Sequence, residues 1–486
     1  MKDEFSKFFG NMVMTAAKDT LLSNMSKFQI GTKPGHRPQE HLFTLKSVIN
    51  FYMSMDKPLI LSTFDVSKFF DRENLRDVMN ELHKNGLRGK YYRLIYELNK
   101  NTCIRVKTPV GISQSQSTGE TVGQGTVEGA IMSAISLDNG VCEFFANSEK
   151  EVTYPRVALG PFLFQDDVCR LASDVASAQY GNDMMECVAE TKLLDYNLEK
   201  SCFLTIGKKK RRLEVKKQLV DTPLKLCGRN MVHETEFKYL GDFISELGIT
   251  ESVYLTVKKR KPNVVRATYE IRSIVDDCRI NCVGGLAAGI EIWEMAVIPV
   301  ILYNSESWQG INDQTIKILE NLQYNFLRSI LAVGSGCPLP LLLSETGMLL
   351  MENRVLQKKV LFLHHLENLP SSALAKEIFK AQNLMGLPGI MTDCSEFLVH
   401  FELSDLKSFS KEQFKRLVKQ KIKIWNKMKI LEIVSRKEYK KVDTTNWSCD
   451  FFQQKPYFKS LSVSDARLRF KIESKMVLSV KMNFQK

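Results

Sequence analysis

Phe64-Asp65-Val66-Ser67-Lys68-Phe69-Phe70-Asp71 and Phe164-Gln165-Asp166-Asp167 are the two stretches that decide the fold and the chemistry of this 486-residue chain. Leu59 to Phe64 is apolar-rich, reads as a strand and runs into Asp65. Phe162 to Phe164 runs into Asp166-Asp167, and Val168 and Cys169 leave it, which reads as a hairpin with carboxylates at its tip. Adjacent carboxylates repel each other and resist desolvation. A hard divalent cation relieves both costs, because oxygen ligands suit Mg²⁺. Two such ions held together support in-line phosphoryl transfer. An Asp-Asp pair alone is more often an ordinary turn, so the reading needs further motifs in a fixed order.

Those motifs are present. Gly119-Glu120-Thr121-Val122-Gly123-Gln124-Gly125-Thr126 lies between the carboxylate stretches, and Val127 to Leu137 after it reads as a helix. Its glycines let backbone approach a ligand closely. After the Asp pair come Asn197-Leu198-Glu199-Lys200-Ser201 and then Phe237-Lys238-Tyr239-Leu240-Gly241. Each is weak by itself; their order is specific.

In that order the chain resembles the reverse transcriptases of non-LTR retrotransposons, the long interspersed elements. That family reads Phe-Asp-x-x-Lys-x-Phe-Asp, Gly-Gln-Gly, Phe-x-Asp-Asp, Asn-x-x-Lys and Phe-Lys-Tyr-Leu-Gly, and all five stand here. Gln29-Ile30-Gly31-Thr32-Lys33-Pro34-Gly35-His36-Arg37, with His41 to Leu45, looks like its fingers motif. Ile301-Leu302-Tyr303-Asn304-Ser305-Glu306-Ser307-Trp308 and Ser344-Glu345-Thr346-Gly347 resemble segments that follow its palm.

The resemblance implies an α+β fold, a right-hand polymerase of fingers, palm and thumb with a mostly helical C-terminal extension. Residues 1–50 would be partial fingers. Residues 51–245 would be the palm with inserted fingers elements, the reverse transcriptase domain covering about 27–245. Residues 246–335 would be thumb and connection, and 336–486 a helical, basic region. Relative to the family the chain reads as a fragment, without the endonuclease and the C-terminal zinc tail.

The implied reaction extends a primer 3′-hydroxyl with deoxynucleoside triphosphates on an RNA template. Asp65, Asp166 and Asp167 would ligate two Mg²⁺ ions, with Mn²⁺ as a substitute. Lys200 would donate a proton to the leaving pyrophosphate, a surface lysine being the alternative. Phe70 would be the gate against a ribose 2′-hydroxyl, with core packing as its other reading. Gln124 and Gly125 would form the floor under the incoming nucleotide. Lys33 and Arg37 would touch template or triphosphate, and Phe237, Lys238, Tyr239, Leu240 and Gly241 would grip the primer. Asp71 is given a structural role. Gln165 departs from the family, which more often has a small residue there, and Thr126-Val127-Glu128 replaces a proline-containing continuation.

Charge locates a further feature. The chain carries +13, while Lys407 to Lys486 alone holds 21 Lys+Arg against 7 Asp+Glu, a balance of +14. The basic excess therefore lies in the last 80 residues. Lys415, Arg416, Lys419, Lys423 and Lys427 crowd a stretch that reads as a helix, with Phe409, Phe414 and Trp425 among them. That is the footprint of a nucleic-acid-binding segment, a solvated helix face being the bland alternative. The runs Lys208–Arg212 and Lys258–Lys261 are local basic patches.

Elsewhere the patterns point to packing. Arg72 to Lys100 reads as helix broken at Gly86 and Gly89, and Ile316, Leu319, Leu322, Phe326 and Ile330 recur at helical spacing behind a capping Asn312. Met385-Gly386-Leu387-Pro388-Gly389 reads as a joint. Leu286 to Tyr303 contains Glu291 and Glu294 and reads as a buried helix, not a membrane span. Of eleven cysteines only Cys278 and Cys282 sit close, with no His or second pair to complete a zinc set, so they read as reduced thiols of an intracellular protein. The expected partners are an RNA template, a DNA primer and deoxynucleoside triphosphates, with no membrane; the oligomeric state stays open. A second functional class also stays open, a catalytically inactive retroelement-derived nucleic-acid-binding protein. An RNA-templated RNA polymerase is disfavoured by the bulk of Phe70.

Overall fold

The computed structural model describes residues 4–100, 103–117, 121–123, 126–145, 152–277, 282–435 and 453–474. The chain forms two compact units. The first is Met1–Leu240 with Ser245–Gly248 and Pro370–Met385; the second is Gly241–Ile244, Ile249–Leu369 and Gly386–Lys486.

The first unit is α+β. Its main sheet has five strands: β1 (Leu59–Phe64), β2 (Phe162–Phe164), β3 (Asp167–Ala172), β4 (Cys202–Ile206) and β5 (Val232–Glu234), in the spatial order β5-β4-β1-β3-β2. The central β1 pairs antiparallel with both β3 and β4, while β5 runs parallel to β4. All five residues of β4 are buried, as are Leu59, Ile60 and Leu61 of β1. Strands buried on both faces read as continuous apolar runs, and these do.

Helices α1 (Glu4–Ser23), α2 (Pro38–Ser54), α3 (Leu75–Lys84), α4 (Val127–Phe145) and α5 (Val175–Lys192) belong to the same unit. Ile60, Phe64, Leu163, Val168, Val188 and Phe203 form one core. Leu21, Val78, Met79, Leu82, Met132 and Ile135 form a second. Gly86 at φ 97° and Gly89 at φ 57° separate α3 from the next helix, Gly89–Asn99, as the expected breaks require. A helix from the distant C-terminal half, Leu374–Leu384, also packs in this unit, on α2. The sequence-based boundaries keep that segment in the C-terminal region, because nothing local marks its return.

The second unit is helical, with α6 (Ile249–Asp277), α7 (Asp313–Leu331), α8 (Met351–Asn368) and α9 (Lys411–Val434). Asn312 caps α7, its Oδ1 accepting from the Thr315 N–H at 2.9 Å. Leu319, Leu322, Phe326 and Ile330 are buried below it. The segment 286–301 is a helix with a π-helical turn at Trp293–Val297, and only one of its faces is buried, Glu291 and Met295 being exposed. Ser344–Gly347 anchors a later segment: the Glu345 carboxylate accepts from the Tyr457 hydroxyl at 2.7 Å, and its carbonyl from the Lys455 N–H. Among the described residues no helix is long and apolar enough to cross a membrane, and the nine described cysteines carry no disulfide.

Candidate active site

Asp65 follows the last residue of β1. Two neighbours from the Asn197–Ser201 segment hold its backbone: the Asp65 N–H donates to Ser201 Oγ at 3.0 Å, and the Asn197 N–H donates to the Asp65 carbonyl at 2.7 Å. Val66 bridges Tyr196, and the Ser67 N–H donates to the Asp195 carbonyl. This second layer of backbone bonds brings Lys200 in, its Nζ 3.8 Å from Asp65 Oδ2, both side chains open to solvent. The two motifs are adjacent because their main chains are zipped together.

The Asp pair sits where β2 turns into β3. Phe164 pairs with Asp167, so Gln165 and Asp166 make a two-residue turn. Gln165 takes φ 58°, the left-handed conformation that such hairpins favour. On the other side of β3, Phe64 pairs with Val168. One step further along that register sets Asp65 opposite Asp167, so residues 101 positions apart in sequence, Asp65 and Asp166, lie at one end of the sheet.

The electrostatics follow. The Asp167 carboxyl is pushed up to about 6, first by desolvation and then by the charges of Asp166 and Asp65. Asp167 still presents surface to solvent, so the protein withdraws water from the carboxyl without closing the site. Glu73, buried and bonded to Ser133, lies near enough to Asp166 to feel its charge; burial pushes Glu73 up to about 7, and Asp166 adds to that. Tyr239, also fully buried, lies near enough to Asp167 to feel its charge.

Among the described residues no three His, Cys, Asp or Glu side chains come together as a group that could hold a metal ion. The aspartates form an open group that shares one field. Mg²⁺ commonly takes one or two carboxylates and completes its shell with water and substrate phosphate. An open, oxygen-only set with mutual repulsion fits an ion of that kind better than a closed Zn²⁺ or Ca²⁺ cage.

The remaining expected residues fall in different places. Phe70 is half-buried, edge-on to Phe69 at 5.6 Å, and touches both cores of the unit. Lys33 turns away from solvent: its Nζ donates to the carbonyls of Met25 (3.1 Å) and Ser26 (2.5 Å). Desolvation lowers its pKa, with the Asp138 charge opposing. Arg37 precedes α2, and its backbone N–H donates to Glu40 Oε1. Gln124 and Gly125 lie outside the described residues, as does the side chain of Asp71. Phe237 and Tyr239 are buried and Lys238 is exposed, which alternates as a strand should.

Leu240 at φ 45° and Gly241 at φ 92° make a tight turn. In the second unit Asp242 follows it, and Tyr303 leaves no room for a Cβ on Gly241, which would come 2.7 Å from the ring. Asp242 is buried and accepts from Arg260 Nη2 (2.9 Å), Asn304 Nδ2 (3.2 Å) and Trp308 Nε1 (3.0 Å). Arg260 donates in turn to the carbonyls of Gly241, Ile301 and Tyr303. Within the second unit one buried charge pair thus joins Gly241-Asp242 to the Ile301–Trp308 stretch, a link that no local sequence signal marks.

On the basic helix α9 the interleaved Phe414 and Trp425 are core residues, being 0% and 4% exposed. They share the buried stripe of Val418, Ile422 and Ile430, and Trp425 packs edge-on against Phe397. The 3.6-residue period sends the aromatics to one face and the cations to another. Lys415, Arg416, Lys419 and Lys423 are exposed, and Lys427, half-buried, continues the row. Lys415, Lys419, Lys423 and Lys427 are four residues apart, about 6 Å along the axis.

No family model and no curated protein matches the chain. Solved structures resemble it at low similarity. The apo telomerase from Candida tropicalis is 10% identical over 92% of this chain and 60% of that one, with a TM-score of 0.35. Telomerase from Candida albicans in complex with a fragment of telomeric RNA is 10% identical over 78% of this chain and 56% of that one, with a TM-score of 0.33. The chain thus spans less than two thirds of the length of these structures.

Proposed function

We propose that the chain is an RNA-directed DNA polymerase of the non-LTR retrotransposon kind, extending a primer 3′-hydroxyl by two-metal catalysis in retrotransposition. The observation that carries this reading is the β1–β3 register, which gathers Asp65, Asp166 and Asp167 into one field at one end of the sheet. Asp65 and Asp166 would hold two Mg²⁺ ions and Asp167 would assist; Mn²⁺ would substitute. When bound, the ions lower the pKa of the attacking hydroxyl and neutralise the triphosphate. The protein supplies alignment, since such transfer depends more on positioning and charge than on covalent steps. Lys200, beside Asp65, is the group that protonates pyrophosphate. The test is incorporation of deoxynucleotides on primed RNA by the purified chain, with and without chelator. Salt-sensitive nucleic-acid binding without incorporation would favour the non-catalytic reading, which the solvent-facing cations of α9 support independently.

Phe70 gives a prediction of its own. As the sugar gate, its replacement in Phe70→Ala raises ribonucleotide use relative to deoxynucleotide use about 10- to 100-fold, the range over which a pocket discriminates one hydroxyl. Competition between the two nucleotides reads this directly. Unchanged preference in a folded variant assigns Phe70 to packing between the two cores, and Phe70→Leu keeps enough bulk to separate instability from selectivity.

The exposed row on α9 gives another. Changing Lys415, Arg416, Lys419 and Lys423 together to Gln removes four phosphate contacts. The log–log salt slope of single-strand binding then flattens by about 3 units, at roughly 0.7 per contact. Titrations at several salt concentrations measure it, and equal slopes would leave the row a solvated surface.

A further inference from the structure

We infer that Gln29 is the positioning residue of the Gln165–Asp166 turn, with Gly31 as the space that lets it work; the inference rests on the polymerase reading of that site. Gln29 is fully buried. Its Nε2 donates to the Gln165 carbonyl at 3.1 Å, while its Oε1 accepts the N–H of Gln165 and the N–H of Gly31, both at 3.0 Å. One side-chain amide therefore serves both backbone groups of the turn residue that precedes Asp166.

The arrangement continues a strand by other means. The Leu163 N–H donates to the Phe28 carbonyl at 3.0 Å and the Ile30 N–H donates to the Leu163 carbonyl at 3.2 Å, so Phe28–Ile30 lies along β2 as a short parallel edge. Two residues later the hairpin turns, and Gln165 in its left-handed conformation no longer faces a backbone partner. The Gln29 amide takes that place. Gly31 is required by proximity: a Cβ there would lie 2.5 Å from the Gln165 nitrogen and 2.9 Å from its Cγ.

Chemistry restricts the residue. The site needs one donor and one acceptor at the end of two methylenes. Glu lacks the donor and adds charge beside Asp166. Met has the length but leaves the three backbone groups unpaired, and unpaired buried groups are costly. Asn is one methylene short. A slack turn moves Asp166 against Asp65, and displacements near 1 Å at a reacting centre can cost about 100-fold in rate.

The experiment compares the full chain with Gln29→Met, Gln29→Glu and Gly31→Ala, and uses Asp166→Asn as the reference for loss of the site. Three readouts are taken: Mn²⁺ binding by electron paramagnetic resonance without nucleic acid, hydrogen exchange of a peptide spanning residues 162–168, and incorporation kinetics against Mg²⁺ concentration. The expected result is weaker Asp166-dependent Mn²⁺ binding, faster exchange at the turn, and a 10- to 100-fold lower kcat with the KM for template–primer unchanged. A purely structural role would lower the urea midpoint and leave Mn²⁺ affinity and metal dependence where they were. That result in any one folded variant carrying Gln29→Met or Gln29→Glu overturns the inference, as does the absence of Asp166-dependent Mn²⁺ binding in the unaltered chain. Should the unaltered chain bind Mn²⁺ through Asp166 yet incorporate nothing, the polymerase reading fails while the Mn²⁺ and exchange readouts still decide the role of Gln29.

Discussion

Asp166→Asn abolishes nucleotide incorporation, by about 10³-fold or more, while the chain stays folded. The size follows from what the carboxylate does in the proposed reaction: charge neutralisation at a metal site contributes several kcal/mol, and each 1.36 kcal/mol is tenfold in rate. The fold survives because Asp166 sits half-exposed at a turn, outside both cores. Primer extension on an RNA template measures the loss, and circular dichroism checks the fold. Activity within tenfold of the unaltered chain would refute the two-metal assignment.

The same substitution carries a pH signature in chelator. Asp167 is held at about 6 in the folded chain, above the usual carboxylate value, so the folded state binds its proton more tightly than the unfolded state does. Its contribution to stability is therefore full below about pH 4 and is lost as pH rises through about 6. In Asp166→Asn one of the two neighbouring charges is gone, and this loss shrinks. Urea midpoints at pH 4.5 and pH 7.5 give the difference; an identical pH dependence in the two proteins would mean that Asp166 does not act on Asp167.

Asp242→Ala destabilises the second unit by about 3–5 kcal/mol, the cost of breaking a buried ion pair from one side. Removing the carboxylate strands the Arg260 guanidinium, whose pKa burial already lowers, and leaves the Trp308 and Asn304 donors without this acceptor. Arg260 also donates to the Gly241 carbonyl beside Asp242, so that bond is weakened with them. Replacing both charges, as in Asp242→Leu with Arg260→Met, should recover part of the loss, since a buried pair exchanged for apolar groups is often near neutral. Urea denaturation of the single and double variants measures this coupling. A single-variant cost below about 1 kcal/mol would place the pair among solvent-screened bridges.

Much of the local structure is legible in the residues. Leu59 to Phe64 and Phe162 to Phe164 are strands that deliver carboxylates to their ends, as their apolar runs indicate. Gly86, Gly89 and Asn312 stop and start helices where backbone freedom and side-chain capping dictate. The charge imbalance also finds the basic helix. Composition counts the aromatics of α9 without assigning them a face, and only the buried stripe shows which way Phe414 and Trp425 point.

What the sequence by itself determined is therefore the set of elements and the residue types at their ends, because helix and strand periods, caps and glycine turns act within a few positions. Tertiary structure alone decided which ends meet. The strand order β5-β4-β1-β3-β2 is not the chain order, and it sets Asp65 beside Asp167. It also turned Lys33 onto the carbonyls of Met25 and Ser26, set the Gln29 amide on Gln165, and joined Asp242 to Arg260 and Trp308. The physical reason is that a buried polar group must find a partner but carries no local signal naming it. Gln29 has the same composition signal as any other glutamine, and its role appears only when packing leaves one turn residue without a backbone partner.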